Sequence, residues 1–247
     1  MELSEFFREH PRCALGFSGG TDSAYLLAAG REYGAELRPY YVRTAFQPRF
    51  ELEDAFRMCE KLNVGLTVLD YDILAVPGVA DNPRDRCYFC KRAIFTLILE
   101  HASADGFDTI IDGNNASDDA GDRPGMRAVR ELGVLSPLRL CGITKAEVRE
   151  RSEALGLFTA RKPAYACLAT RVPAGTRIEA ADLAKIERGE EALKAMGFSD
   201  LRVRITPDGA RLELPGEQMA RAVEMREDIL SALGGDFGRV VLDMKGR

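Results

Sequence analysis

The sequence predicts an α/β fold, a parallel sheet covered by helices on both faces, followed by a small α+β domain. Two observations carry that expectation. Short apolar runs alternate with amphipathic helical stretches from Cys13 to Leu155, the rhythm that builds parallel sheets through crossover helices. The rhythm then breaks across Arg161–Thr176, which holds Pro163, Pro173 and Gly175, and a different αββαβ pattern follows. The expected division is therefore a catalytic domain at 1–165 and a C-terminal α+β domain at 166–247 that binds substrate or builds an oligomer.

Each element has its own signal. Leu3–Glu9 reads as a short amphipathic helix leading into an apolar strand, Cys13–Phe17, which ends in the glycine-rich turn Ser18–Gly20. A helix follows from Asp22 to Tyr33, with Ala24, Leu26, Leu27 and Ala28 as its apolar residues. Strand Leu37–Val42, helix Pro48–Leu62 and strand Gly65–Leu69 come next. A loop rich in Pro and Asp, Pro77–Arg86, precedes the apolar helix Cys90–His101. Thr109–Ile111 reads as a strand and Ala128–Leu132 as part of a helix. Thr144–Leu155 begins with Thr as N-cap and Glu147 three residues on, the spacing of a capping box. Beyond the break come helix Ala180–Met196, strands Leu201–Ile205 and Ala210–Leu214, helix Glu217–Leu233 and strand Arg239–Met244. Asp208-Gly209 supplies the hairpin signal between the two middle strands.

The composition excludes several classes of function. With 46% hydrophobic and 30% charged residues, the chain has the balance of a soluble globular protein. Its apolar runs are far shorter than the ~20 residues of a membrane span, and the charged start MELSEFFREHPR lacks a signal-peptide core. A cytoplasmic location with no membrane partner is expected. A net charge of −5 and a pI near 5.3 argue against a nucleic-acid partner and for a small-molecule one. Of the six cysteines, Cys13, Cys59 and Cys141 read as small buried hydrophobes.

The sharpest chemical signal is Phe17-Ser-Gly-Gly-Thr-Asp-Ser23 between the first strand and its helix. Adjacent Gly19 and Gly20 let backbone N–H groups approach an anion, Ser18, Thr21 and Ser23 add hydroxyls, and the helix contributes its positive end. Asp22 would repel phosphate, so its place is explained by a Mg2+ held against a diphosphate. The string resembles the SGGxDS signature of the PP-loop ATP pyrophosphatases, which cleave ATP to AMP and diphosphate. It lacks the Gly-Lys-Ser/Thr ending of a P-loop kinase. In such sheets the ligand lies beyond the carboxyl ends of the strands. Arg43 at the end of the second strand and Gly113 at the end of the fourth are thus expected on the ATP site, with Lys145 as a phosphate or leaving-group contact. The acidic stretch Asp112–Gly125 is expected to border the site, with Asp118, Asp119 and Asp122 near Mg2+ or a cationic substrate and Arg123 on phosphate.

Cys87 and Cys90 form a CxxC at a helix start, and Cys167 lies in PAYACLATR. Such a pair suits a redox couple, half a zinc site or part of an iron–sulfur site. No second CxxC exists, and His10 and His101 are the only histidines. Three thiolates suit a cluster that leaves one iron open to an extra sulfide.

Taken together, GFSGGTDS, CYFCKR, DGNNASDDAGDRPGMRA, SPLRLCGITKAEVR, PAYACLATR and the pair LRVRI…ARLEL resemble, in the same order over nearly the whole chain, the LarE family of ATP-dependent sulfur transferases. The resemblance implies a five-stranded-type parallel sheet of the adenine nucleotide alpha hydrolase (PP-loop/HUP) kind. It implies adenylation of a carboxylate of pyridinium-3,5-biscarboxylic acid mononucleotide by MgATP, then displacement of AMP by sulfur to give a thiocarboxylate. In one branch a cysteine matching Cys167 gives up its own sulfur. In the other, a CxxC and that cysteine hold a 4Fe-4S cluster, and Cys87, Cys90 and Cys167 match this branch. Arg202 and Arg204 match the second-domain arginines that bind the anionic substrate; Arg171 follows Cys167 closely enough to serve too, and the acidic stretch adds Asp122 and Arg123 as substrate-binding candidates. Glu179 or Glu187 is a candidate for orienting it. The family resemblance also implies a homo-oligomer, a hexamer. Competing readings are a tRNA-thiolating enzyme, an amide-forming ATP pyrophosphatase synthetase and a nucleotide-sensing module.

Overall fold

In the computed structural model, which describes residues 1–118 and 124–247, the chain divides into two units. One comprises Met1–Val76 and Asp85–Ala164, the other Pro77–Arg84 and Tyr165–Arg247.

The first unit runs α1 (Leu3–Glu9), β1 (Arg12–Gly16), α2 (Thr21–Glu32), β2 (Glu36–Arg43), α3 (Arg49–Lys61), β3 (Thr67–Asp70), α4 (Arg86–Ala104), β4 (Ile110–Ile111), α5 (Pro124–Glu131), α6 (Pro137–Leu140) and α7 (Lys145–Ala154). Its four strands pair in parallel in the order β3-β2-β1-β4. Leu135 prolongs the sheet beyond β4 by a single parallel bridge to Ile111. There its N–H donates to Ile110 O and its carbonyl accepts from Asp112 N, both at 2.9 Å. The fifth position is thus held by one residue, because the chain between α5 and α6 is too short for more.

Alternation along β1 explains why the sheet is covered on both faces. Cys13 and Leu15 enter one core with Phe6, Phe7, Leu26 and Leu27, whereas Ala14 enters the other with Tyr40, Val42, Phe95 and Ile98. Cys13, Ala14 and Leu15 are all fully buried, the mark of a central parallel strand. Each large side chain so buried contributes roughly 1.5–3 kcal/mol. Burial also makes Cys13 and Cys59 inert, pushing their thiols up to about 12 and about 11. Cys141 is only half-buried, unlike the expectation. α7 has its capping box: Thr144 N and Oγ1 donate to Glu147 Oε2 at 2.8 and 2.7 Å.

The second unit contains α8 (Ala180–Ala195), β5 (Arg202–Thr206), β6 (Gly209–Glu213), α9 (Met219–Glu224), α10 (Arg226–Phe237) and β7 (Arg239–Leu242). β5 and β6 are antiparallel with Thr206 opposite Gly209, so Pro207 and Asp208 form the tight turn. β7 joins β6 in parallel. The single helix expected over Glu217–Leu233 is instead a 3-10 turn, α9 and α10, broken at Met225, whose φ of −91° and ψ of 18° leave the helical region. Pro77–Arg84, placed in the first domain by sequence, packs with the second unit. Asn82 O accepts from Gly175 N at 2.8 Å, Ala80 O accepts from Ile178 N at 2.7 Å, and the Asn82 amide donates to Pro173 O at 2.8 Å. No helix among the described residues is long and apolar enough to cross a membrane.

Candidate functional site

β1 delivers Ser18-Gly-Gly to the sheet's carboxyl edge, and α2 begins at once with Thr21. Gly20 caps α2 with no side-chain hydrogen bond, so the amides of its first turn remain available to an anion. Gly19 has φ +69°, and a Cβ there would lie 2.9 Å from the Glu51 carbonyl oxygen of α3. Both the left-handed backbone and the closeness of α3 therefore require glycine. Gly113 is constrained from the other side, since a Cβ would lie 3.0 Å from Ser23 N. The turn after β4 is thereby pressed against the start of α2. Ser18 Oγ and Ser23 Oγ lie 3.3 Å apart, and Ser18 Oγ accepts from Gly20 N at 3.4 Å.

Asp22 is the hub of this edge. Lys145 Nζ, at the start of α7, donates to its Oδ2 at 2.6 Å, and the Asn115 amide donates to its Oδ1 at 3.1 Å. Asn115 is in turn fixed by Asp118, which accepts from Asn115 N at 2.8 Å. Lys145 N donates to Ser117 Oγ at 3.0 Å. Lys145 thus meets the loop's carboxylate directly, and Mg2+ at Asp22 would have to take the place of its ammonium group.

A cavity of about 350 Å³ opens above the loop, within the size range of small-molecule sites. Its polar side is Ser18, Asp22, Ser23, Asp112, Gly113 and Asp118; its apolar side is Val42 with Ile94, Phe95 and Ile98 of α4. That division suits a ligand with a flat apolar ring at one end and charge at the other. Burial pushes the Asp112 carboxyl up, opposed by nearby Lys91 and by hydrogen bonds from Ser136 and Asn114. Ser136 Oγ donates to Asp112 Oδ1 at 2.7 Å.

Several expected contacts are placed differently. The Thr21 hydroxyl does not face the anion site, because it is buried and donates to Thr159 O at 2.8 Å. Arg43 is exposed and outside the cavity lining, held in a two-point ion pair by Asp70, its register partner on β3, with Nη2 to Oδ2 at 2.8 Å. Asp119, Asp122 and Arg123 lie outside the described residues. Lys91 and the α4 wall were missed by sequence reasoning. Lys91 had a local signal, since it follows Cys90 directly in CYFCKR.

Cys87, exposed, and Cys90, half-buried, lie one turn apart on the first turns of α4. Arg86 Nη2 is 3.9 Å from Cys87 Sγ. Cys167, half-buried, belongs to the second unit, where it caps the 3-10 turn Leu168–Arg171. Among the described residues, no group of three or more His, Cys, Asp or Glu side chains is gathered as a metal site.

Around Cys167 the second unit builds a buried polar centre. Glu190, 1% exposed, accepts from Arg171 Nε at 2.8 Å and Nη2 at 3.1 Å, from Tyr165 Oη at 2.6 Å and from Val203 N at 3.0 Å. Arg171, 0% exposed, also donates to Ala166 O at 2.6 Å and to Cys167 O at 3.3 Å. Arg171 therefore braces the Cys167 backbone, and it also lines a cavity together with Thr170 and Arg204. Glu190, missed in the sequence, is the common acceptor of this centre; Glu179, considered there for orienting the substrate, forms an exposed pair with Arg177. Arg171, Lys194 and Arg202 all lie over the Tyr165 ring, at 4.5, 4.9 and 5.1 Å. Burial, then the neighbouring charges of Arg171 and Arg247, bring the Arg202 guanidinium down to about 10. Arg204 donates to Glu213 Oε1 at 2.6 Å and, with Arg211 and Thr170, lines a second cavity of about 450 Å³.

No family profile matches the chain. Across 250 residues it is 35% identical to the uncharacterised protein slr1717 of Synechocystis, an alignment covering 99% of this chain and 92% of that one. It is 29% identical over 245 residues to pyridinium-3,5-bisthiocarboxylic acid mononucleotide synthase of Lactiplantibacillus plantarum, covering 95% and 86%. A tRNA-specific 2-thiouridylase, MnmA of Renibacterium salmoninarum, is 32% identical over 188 residues, covering 59% of this chain and 49% of that one. A strand–SGGTDS–helix edge with a cavity above it, together with relatives aligned from end to end, leads to one assignment: the chain belongs to the LarE family of PP-loop proteins.

Proposed function

We propose that the protein is an ATP-dependent sulfurtransferase that adenylates a carboxylate of pyridinium-3,5-biscarboxylic acid mononucleotide and exchanges AMP for sulfur. The observation that carries this reading is the anion-ready edge itself: open amides at the start of α2, glycine enforced at Gly19, and Asp22 beneath a cavity with one apolar wall. ATP fits with its base against Ile94, Phe95 and Ile98 and its phosphates over Ser18–Ser23. A substrate carboxylate oxygen attacks the α-phosphorus, the bond to the β-bridging oxygen breaks, and diphosphate leaves. A sulfur nucleophile then forms a C–S bond as the C–O bond to AMP breaks, giving thiocarboxylate and AMP. Lys145 and the α2 amides stabilise charge on the departing diphosphate. Arg204, at the second cavity, is the group for the substrate's anionic end.

Oxygen donors at Asp22 and Asp118 fit Mg2+. The Cys87–Cys90 pair, one turn apart with accessible thiols, fits two positions of a 4Fe-4S cluster, and Cys167 is the third ligand in this reading. When bound, the cluster supplies a transferable sulfide.

The likeness to MnmA favours a second reading, tRNA thiolation by the same adenylate chemistry. The net charge of −5 weighs against it. The test is a single-turnover assay with ATP, Mg2+ and pyridinium-3,5-biscarboxylic acid mononucleotide under anaerobic conditions. AMP, diphosphate and thiocarboxylate are expected in equal amounts; ADP formation, or no diphosphate with this acceptor or with tRNA, overturns the proposal.

A further inference from the structure

The phosphate loop contains one hydroxyl that does not serve phosphate. Thr21 opens α2, yet its side chain is 5% exposed and hydrogen-bonds the carbonyl of Thr159, far away in sequence. Thr159 lies in the connector Leu157–Ala164, the last stretch of the first unit, which runs directly into the Tyr165–Arg171 segment bearing Cys167. The same connector is held by the two other helices that border the loop. Arg149 of α7 donates to Ala160 O at 3.3 Å and to Lys162 O at 3.2 Å. Lys162 Nζ pairs with Asp54 of α3 at 2.6 Å. One turn before Arg149, Lys145 of the same helix grips Asp22. Any shift of the loop or of Lys145 on nucleotide binding is therefore passed to the connector through Thr21 and through α7.

The connector also carries a cost. The Thr159 hydroxyl is fully buried and has no hydrogen-bond partner among the described residues. A buried hydroxyl left unsatisfied is costly.

We infer that Thr21 is a positioning residue for the sulfur-transfer half of the proposed reaction: its hydroxyl couples occupancy of the phosphate loop to the connector leading to Cys167. This inference rests on the reading of the site given above. ATP held by the loop sets the connector that leads to Cys167, so adenylation and sulfur delivery stay in order. A hydroxyl at position 21 is required for that coupling, whereas phosphate binding needs only the backbone amide there.

The test compares full-length wild type, Thr21→Val, Thr21→Ser and Arg149→Met. Diphosphate release and thiocarboxylate formation are followed with pyridinium-3,5-biscarboxylic acid mononucleotide, and hydrogen exchange at residues 157–164 is followed with and without a non-hydrolysable ATP analogue. Thr21→Val is expected to keep the KM for ATP and the diphosphate rate within about threefold while slowing thiocarboxylate formation about tenfold or more. It should also lose the analogue-dependent change in exchange at 157–164, and Thr21→Ser should restore both. Arg149→Met, which loosens the connector without touching the loop, should show the same split even if Thr21→Val does not fold. Equal loss of diphosphate and thiocarboxylate in Thr21→Val, no change in either, or no analogue-dependent exchange at 157–164 in the wild type overturns the inference. Absence of diphosphate release from wild type refutes the proposed function instead, and the exchange measurement still decides the coupling.

Discussion

Replacing Glu190 with Ala tests whether Arg171 is a brace or a substrate contact. The carboxylate is 1% exposed and is the common acceptor for the Arg171 guanidinium, the Tyr165 hydroxyl and the Val203 amide. Arg171, Lys194 and Arg202 surround the same ring, and removing Glu190 leaves the fully buried Arg171 guanidinium without its carboxylate. Breaking a buried pair by deleting one partner costs about 3–5 kcal/mol, because the surviving charge stays buried. In a unit of this size each kcal/mol lowers Tm by about 4–8 °C, so a drop of about 12–40 °C is expected for the second unit. The chain has no Trp, so unfolding is best followed by calorimetry and far-UV circular dichroism. A double-mutant cycle with Arg171→Met separates the pair from simple packing, and a coupling of about 2 kcal/mol or more is expected. The reasoning is refuted if Glu190→Ala costs less than about 1 kcal/mol. It is equally refuted if Arg171→Met leaves melting untouched while raising KM for the substrate, since that is how a contact residue behaves.

Two further perturbations address the loop and its cavity. Gly19→Ala puts a Cβ into a φ of +69° and 2.9 Å from the Glu51 carbonyl; it should weaken ATP binding about tenfold or more by calorimetry and cost about 1–3 kcal/mol of stability, and an unchanged Kd would show that this bend does not hold phosphate. For Asp112 the proton linkage has a definite sign: burial raises its carboxyl in the folded state, so its contribution to stability is complete below the ordinary aspartate range and is lost as pH rises through the raised value. Asp112→Asn should therefore gain in Tm relative to wild type between about pH 4 and neutrality, and a pH-independent difference would contradict this.

What the sequence disclosed was local. The turn between β1 and α2, the capping box at Thr144 and the strand–helix rhythm each depend on residues a few positions apart, and each is found in the structure. What it left unread has a different origin. Thr21 and Arg171 look like ligand contacts by their position in a motif, but their partners are Thr159 and Glu190, which no local pattern connects to them. Arg43 is captured by Asp70 only because β2 and β3 pair in that register. Glu190 looks like any charged residue of an amphipathic helix until α8 closes over Tyr165. Polar side chains that choose among several partners are thus the hardest to assign from one sequence, whereas backbone conformation enforced by glycine is among the easiest.

The second unit is assembled from two stretches of chain, Pro77–Arg84 and Tyr165–Arg247. A fragment cut at residue 165 would lack the eight-residue strip whose Asn82 and Ala80 carbonyls receive the amides of Gly175 and Ile178. The C-terminal third is therefore not a cassette that recombination can move alone. Any lineage that exchanges it must also carry over the strip between β3 and α4, so two distant parts of the gene are bound to a shared history.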